Sequence, residues 1–245
     1  MVIVLFIIML IGVLLGKMKV INSESRSTLS FLIINVSMPM LIVSSSNLEF
    51  NEQTKNESFW LIIMSVAAFF FSILIAQLIF KKAVPRCATV FSNAGYMGLP
   101  VLNSILGARG LFLGAIFQMV FHLFTWTYGI SLFTKSSTFK DSLKKMINPS
   151  LIAVAIAIIF MLTGWKMPDT IQTVLEMMGE LTTPLSMLLI GATLSQVSFK
   201  EIIKVPQIYI VTAIRLLVIP AFVLLFLLFP SIPKISIYVV VIINA

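Results

Sequence analysis

In the stretch Phe91-Ser92-Asn93-Ala94-Gly95-Tyr96-Met97-Gly98-Leu99-Pro100, an amide, two glycines and a proline fall in the middle of an apolar run. Glycine loosens a helix, and proline removes a backbone donor and clashes with the preceding turn. In hydrocarbon the freed carbonyls need partners, so a broken helix survives only where protein or water surrounds it. Transporters use such breaks as binding sites, with half-helix ends offering dipoles and unwound backbone holding substrate. A proline kink with glycines for close packing is the alternative. Asn93, read as a buried polar group, favours a site. Downstream, Gln118 and His122 lie one turn apart and share a helix face. A lone histidine among apolar neighbours is either a packed residue or a polar substrate contact whose charge depends on pH.

Arg215 falls about nine residues into another apolar run, roughly 13 Å deep at ~1.5 Å per residue. An intramembrane arginine is costly, so it pairs, faces water or snorkels to the nearer surface. Glu176 and Glu180, one turn apart, read as a solvated helix end; held deep in the membrane they would be coupling-ion candidates. Ser44, Ser45 and Ser46 are expected to satisfy local carbonyls near a helix end. Enzyme signatures are thin. H-E-x-x-H and G-x-x-x-x-G-K-[ST] are both absent. Asp141 falls in a loop and Asp169 near a membrane surface, which does not make the paired aspartates of an intramembrane protease. Ser92 with His122 is the one nucleophile–base pair worth naming. One cysteine, Cys87, excludes an internal disulfide, and one histidine leaves too few ligands for a zinc or haem centre. No metal and no cofactor is expected.

The elements that must position these residues follow from composition. Of 245 residues, 59% are apolar and 11% charged, with mean hydropathy +1.09. Soluble domains run at about 45–50% and about 25%. A soluble fold of this size could not hide that much apolar surface, and disorder is excluded for the same reason. The expected fold class is an all-α polytopic membrane protein, because a barrel would show short alternating segments. Predicted spans cover 1–16, 28–46, 59–80, 87–107, 110–133, 149–165, 171–196 and 206–230, and a ninth starts near 235.

A net charge of +8 would elsewhere suggest nucleic acid. Here the basic residues form short strips between apolar runs, so they report topology and no nucleic-acid partner is expected. Placing the N-terminus outside makes twelve of them cytoplasmic: Lys17, Lys19, Arg26, Lys81, Lys82, Arg86, Lys135, Lys140, Lys144, Lys145, Lys200 and Lys204. Only Lys55, Arg109, Lys166 and Lys234 then lie outside, with Glu49, Glu52 and Glu57 sharing the first outer loop. Trp60 and Trp165 stand at span ends, as interface anchors do. The expected location is a plasma membrane. The long basic connection 134–148 follows an odd number of spans, so a second half of like build would enter the membrane inverted. Val36-Ser37-Met38-Pro39-Met40-Leu41 echoes Leu181-Thr182-Thr183-Pro184-Leu185-Ser186, and both prolines lie in the second span of their half.

The stretch from Asn93 to Pro100 is similar to the fourth-helix signature of the auxin efflux carrier family of membrane transporters, which includes plant auxin exporters and bacterial malate-type permeases. Leu29-Ser30-Phe31 through Leu41 resembles that family's second helix, and Ala213-Ile214-Arg215-Leu216 with Pro220-Ala221 its eighth. The likeness runs in order over essentially the whole chain. It implies ten helices in two inverted five-helix repeats, with the fourth and ninth helices broken at prolines and crossing mid-membrane. On that plan 1–133 is the first repeat with its crossover helix at 87–107, 134–148 is a cytoplasmic loop, and 149–245 is a second repeat that stops within its fourth helix. Repeating the spacing of Pro39 and Pro100 from Pro184 arrives at Ala245, so the second break is expected there and the chain is expected to be a fragment.

Helices one, two, six and seven would form a scaffold, and the others a transport domain moving like an elevator. Asn93, Gly95, Gly98 and Pro100 would meet the substrate, with Gln118 and His122 facing the same cavity. Pro39, Pro184 and Arg215 are structural or coupling candidates. The expected function is secondary transport of a small organic anion such as a carboxylate, not enzymatic conversion. H+ or Na+ is the candidate coupling ion and a homodimer in the lipid bilayer the candidate assembly. An intramembrane enzyme and a non-transporting sensor subunit are the alternatives.

Overall fold

Long apolar runs satisfy their backbone groups internally as helices. The computed structural model describes residues 2–45, 51–133, 149–165, 167–198 and 203–244, and no strand occurs among them. Helix α1 covers Val2–Lys17, α2 Ser23–Ser44, α3 Glu52–Ile79, α4 Ala83–Val90 and α5 Leu99–Phe124. Then follow α6 Pro149–Thr163, α7 Asp169–Leu194, α8 Pro206–Leu228 and α9 Lys234–Asn244. Five stretches are long and apolar enough to cross a membrane: Ser23–Ser44, Glu52–Ile79, Ala83–Gly129, Asp169–Leu194 and Pro206–Leu228. The chain is an all-α, multi-pass membrane protein. The expected basic connection 134–148 lies outside the described residues, as do Ser46, Glu49, Lys166 and Lys200.

Local chemistry explains the boundaries. Asn22 and Asn51 start α2 and α3, each with its side-chain oxygen accepting the backbone N–H three residues on, Ser25 and Thr54, at 2.9 Å. Gly107 takes φ 61° and ψ −154° between the two helical arms of α5, at the expected end of the fourth span. Three wide, π-helical turns follow one rule. Ile33–Ser37, Ala94–Gly98 and Ile214–Val218 each end two residues before a proline, Pro39, Pro100 and Pro220. A proline ring clashes with the carbonyl four residues back and offers it no donor, and widening that turn relieves the clash. A fourth wide turn, Thr125–Gly129, continues α5 without a proline.

The described chain forms two compact units that interleave along the sequence. The first holds Met1–Phe50, Gly95–Phe112 and Asn148–Phe199, and so α1, α2, α6 and α7. Within this unit α1 packs on the second half of α7 through small residues. A Cβ on Gly12 would run into the Leu188 backbone, and one on Gly191 into the backbone of Met9 and Val13. Gly179 allows similar contact with α2, where an added Cβ would lie 2.7 Å from Leu41 Cα. Such close backbone approach is how helices associate where lipid removes the hydrophobic driving force. Gln172 Nε2 donates to Ser44 O at 3.1 Å, and Ser44 and Ser45 donate to Leu41 O and Ile42 O. The free carbonyls at the end of α2 are thus met locally. Ile3, Phe6, Ile7, Leu10 and Leu14 of α1 remain exposed, a face suited to lipid.

The second unit holds Asn51–Ala94, Leu113–Ile147 and Lys200–Ala245. Its central helix is α3, with Leu61, Met64, Ala68, Phe69 and Ala76 buried. Helix α9 lies against it, and Ser236 Oγ donates to Glu57 O at 2.9 Å. Helix α8 joins through Ile214 and Ile219, packed with Phe80 and Ile75, and through Phe222, stacked on Phe71 at 4.1 Å. Glu57, expected in an outer loop, is instead inside α3 and buried, because α3 starts earlier than its apolar run.

Candidate functional site

The broken span does not open at its proline, as expected, but seven residues earlier. Helix α4 closes when the Phe91 N–H donates to Cys87 O at 2.9 Å, and Phe91, Ser92 and Asn93 follow in non-helical conformation. Aromatic packing holds them there. The Phe91 ring meets Phe121 edge-on at 5.7 Å, Phe69 at 6.2 Å and Tyr128 at 6.4 Å. Phe69 in turn stacks on Phe124 at 4.7 Å. Gly129 leaves the room: a Cβ there would lie 3.2 Å from the Phe91 ring. Pro100 lies in the helix that resumes at Ala94, just past the wide turn Ala94–Gly98 that accommodates its ring.

With the Phe91 ring held in this cluster, Asn93 is exposed, not buried as expected. The irregular segment presents its amide outward. Ser92 Oγ is buried without a hydrogen-bond partner among the described residues, and so is the Tyr128 hydroxyl. One belongs to the residue after Phe91, the other to a ring packed on Phe91, on the wide turn after α5. Buried polar atoms ordinarily find partners, so each of these hydroxyls is free to take one.

Gln118 is buried in the second arm of α5, and His122 one turn on is half-buried with its ring edge-on to Phe121 at 5.8 Å. Asn93, Gln118 and His122 thus all belong to the second unit. Phe91 and Phe121 are the contact that joins the Asn93 segment to the His122 helix. The Ser92 hydroxyl makes no hydrogen bond to His122 or to any other described residue. Replacing His122 by Gln should retain transport within about tenfold, because an amide keeps one hydrogen-bonding group. Initial rates between about pH 5 and 8 check this. Complete loss together with a vanished pH profile would make the imidazole's proton part of the mechanism.

Gly95, Gly98 and Pro100 belong to the first unit, where Tyr96 OH and Ser30 Oγ share a hydrogen bond that ties the wide turn to α2. Pro39 follows the wide turn of α2, and Pro184 lies one turn past Glu180, just after the irregular residue Leu181 of α7. Arg215 is held by two main-chain oxygens. Its Nη1 donates to Ala88 O at 3.2 Å and its Nη2 to Asn244 O at 2.9 Å.

Sequence reading passed over two polar groups here, Tyr128 and Asn244, and weighed Ser92 only as a nucleophile. Tyr128 stands out only through its unpartnered oxygen, which no pattern announces. Asn244 could have been found, because Asn93-Ala94 and Asn244-Ala245 repeat a dipeptide. Each asparagine stands ten residues past the first residue of a helix, Ala83 of α4 and Lys234 of α9. Asn244 is buried, and its Nδ2 donates to Val240 O at 2.8 Å.

An uncharacterized transporter of Methanothermobacter thermautotrophicus is 26% identical over 228 residues, covering 87% of this chain and 73% of that protein. The family model described as "Membrane transport protein" matches residues 1–141 and 133–245, the whole length between them. The chain belongs to this membrane transport protein family, the auxin efflux carriers.

Proposed function

We propose that the chain is a secondary transporter of a small organic anion across the plasma membrane, with its N-terminus outside. The observation that carries this reading is the unwound segment Phe91–Asn93, with an exposed Asn93 amide, an unpartnered Ser92 Oγ, and the unpartnered hydroxyl of Tyr128, whose ring packs on Phe91. Carboxylate oxygens accept from such donors. The helix that resumes at Ala94 begins with free backbone N–H groups and the positive end of its dipole, which favour an anion. Asn93, Gln118 and His122 supply side-chain contacts. In the elevator motion that the family likeness suggests, the second unit would carry the substrate.

The direct test is uptake of labelled mono- and dicarboxylates into vesicles that contain the purified chain. Saturable uptake competed by one carboxylate class supports the reading; no uptake or efflux of any organic anion overturns it. The hydroxyls give a sharper check. Ser92→Ala and Tyr128→Phe remove groups with no intramolecular partner among the described residues. Melting temperatures should therefore stay level or rise, because a buried unsatisfied group costs about 1–3 kcal/mol. Transport should nevertheless fall by about fivefold or more if each hydroxyl meets substrate. Unchanged rates in both variants would leave these hydroxyls outside the site.

A further inference from the structure

We propose that Arg215 is a built-in cation that ties the end of α4 to Asn244 of α9, and in doing so holds open the unwound segment after α4. This rests on the transporter reading for its meaning, but its geometry stands alone. Helix α4 leaves its last carbonyls without intrahelical donors. Cys87 O is taken by the Phe91 N–H, the last regular bond of the helix. The next acceptor in register is Ala88 O, four residues before Ser92. Were α4 to continue, the Ser92 N–H would fill it. Arg215 Nη1 fills it instead, so the chain can leave the helix at Ser92 without stranding that carbonyl. The other terminal nitrogen of the same guanidinium takes Asn244 O. Residues far apart in sequence therefore meet on one charge.

The electrostatics favour a cation here. The C-terminus of α4 carries up to about half a negative charge, and the Asn244 carbonyl adds a second aligned dipole. Carriers that couple to Na+ hold the ion with unwound carbonyls and half-helix C-terminal ends. Here the donor set is of that kind, but the cation is tethered. Among the described residues Arg215 pairs with no carboxylate, so main-chain oxygens are what hold it. Its position is built for the task. Pro220 forces the wide turn Ile214–Val218, Arg215 is the second residue of that turn, and Ile214 and Ile219 anchor it against Phe80. A lysine could not replace it, because one ammonium on a flexible stem lacks the planar fork that spans two fixed acceptors. Arg215 is thus a positioning residue for the segment that carries Ser92 and Asn93.

The test measures thermal unfolding of the full chain in detergent, with NaCl or choline chloride at equal ionic strength, and needs no transported substrate. The parent protein's melting temperatures in the two salts give the reference difference. Arg215→Ala should melt lower by about 5 °C. It should recover on adding about 10 mM guanidinium but not equal urea, as ligand linkage requires. In this variant NaCl should stabilise relative to choline by more than it does in the parent. Arg215→Lys should fall between the two, which keeps the proposal testable if the alanine variant does not fold. An Arg215→Ala variant indifferent to guanidinium and Na+, or a lysine variant equal to the parent, would each overturn the clamp. Because no step measures transport, failure here is separate from failure of the transporter reading.

Discussion

Reconstituted Asn93→Ala protein is expected to lose transport by about 10- to 100-fold while expressing and melting like the parent. A hydrogen bond to a charged group contributes about 1.5–3 kcal/mol, and about 1.4 kcal/mol is tenfold in rate or affinity. The stability expectation comes from position: Asn93 is exposed on an unwound segment, and exposed substitutions generally stay within about 0.5 kcal/mol. The neighbouring packing is carried by Phe91, which the variant leaves intact. Asn93→Gln should restore only part of the rate, since the longer side chain displaces the amide. Initial uptake rates of a labelled carboxylate, normalised to protein in the vesicles, decide the matter. A well-folded alanine variant with the parent's rate would reduce Asn93 to a solvated loop residue, and the substrate site would have to be sought elsewhere.

The span pattern was legible because it is a one-dimensional property: long apolar runs must become helices, and basic strips must lie between them. The wide turns were legible too, in retrospect, since Pro39, Pro100 and Pro220 each dictate where the preceding carbonyl must be relieved. The position of the break was not. Proline chemistry pointed at Pro100, but a ring cluster built from Phe69, Phe91, Phe121 and Tyr128, with Gly129 as the gap, opens the chain at Phe91–Asn93. That cluster draws on three separate stretches of sequence, and nothing local announces it. The same holds for Arg215. Its depth and cost could be read from the sequence, whereas its two acceptors are main-chain oxygens, which every residue carries.

Close packing of α1 on α7 leads to the largest expected effect on folding. The spacing Gly12-x-x-x-Gly16 is visible in the sequence, but the helix that answers it, through Gly191 and Ala192, is known only from the structure. Gly191→Val should destabilise the first unit by about 3 kcal/mol or more, because overpacking against a backbone that cannot yield exceeds the ordinary cost of an extra methylene. At about 2–4 °C per kcal/mol for a chain of this size, the melting temperature should fall by roughly 10 °C. Gly191→Ala should lie between, since even one Cβ meets the Met9 carbonyl and the Val13 nitrogen. Leu10→Ala is the control: it lies on the exposed face of α1 and should change stability by about 0.5 kcal/mol or less. Thermal unfolding of the three variants in one detergent checks the order. Equal melting of Gly191→Val and the parent would mean that α1 and α7 are not packed through these glycines, and the first unit would need another seam.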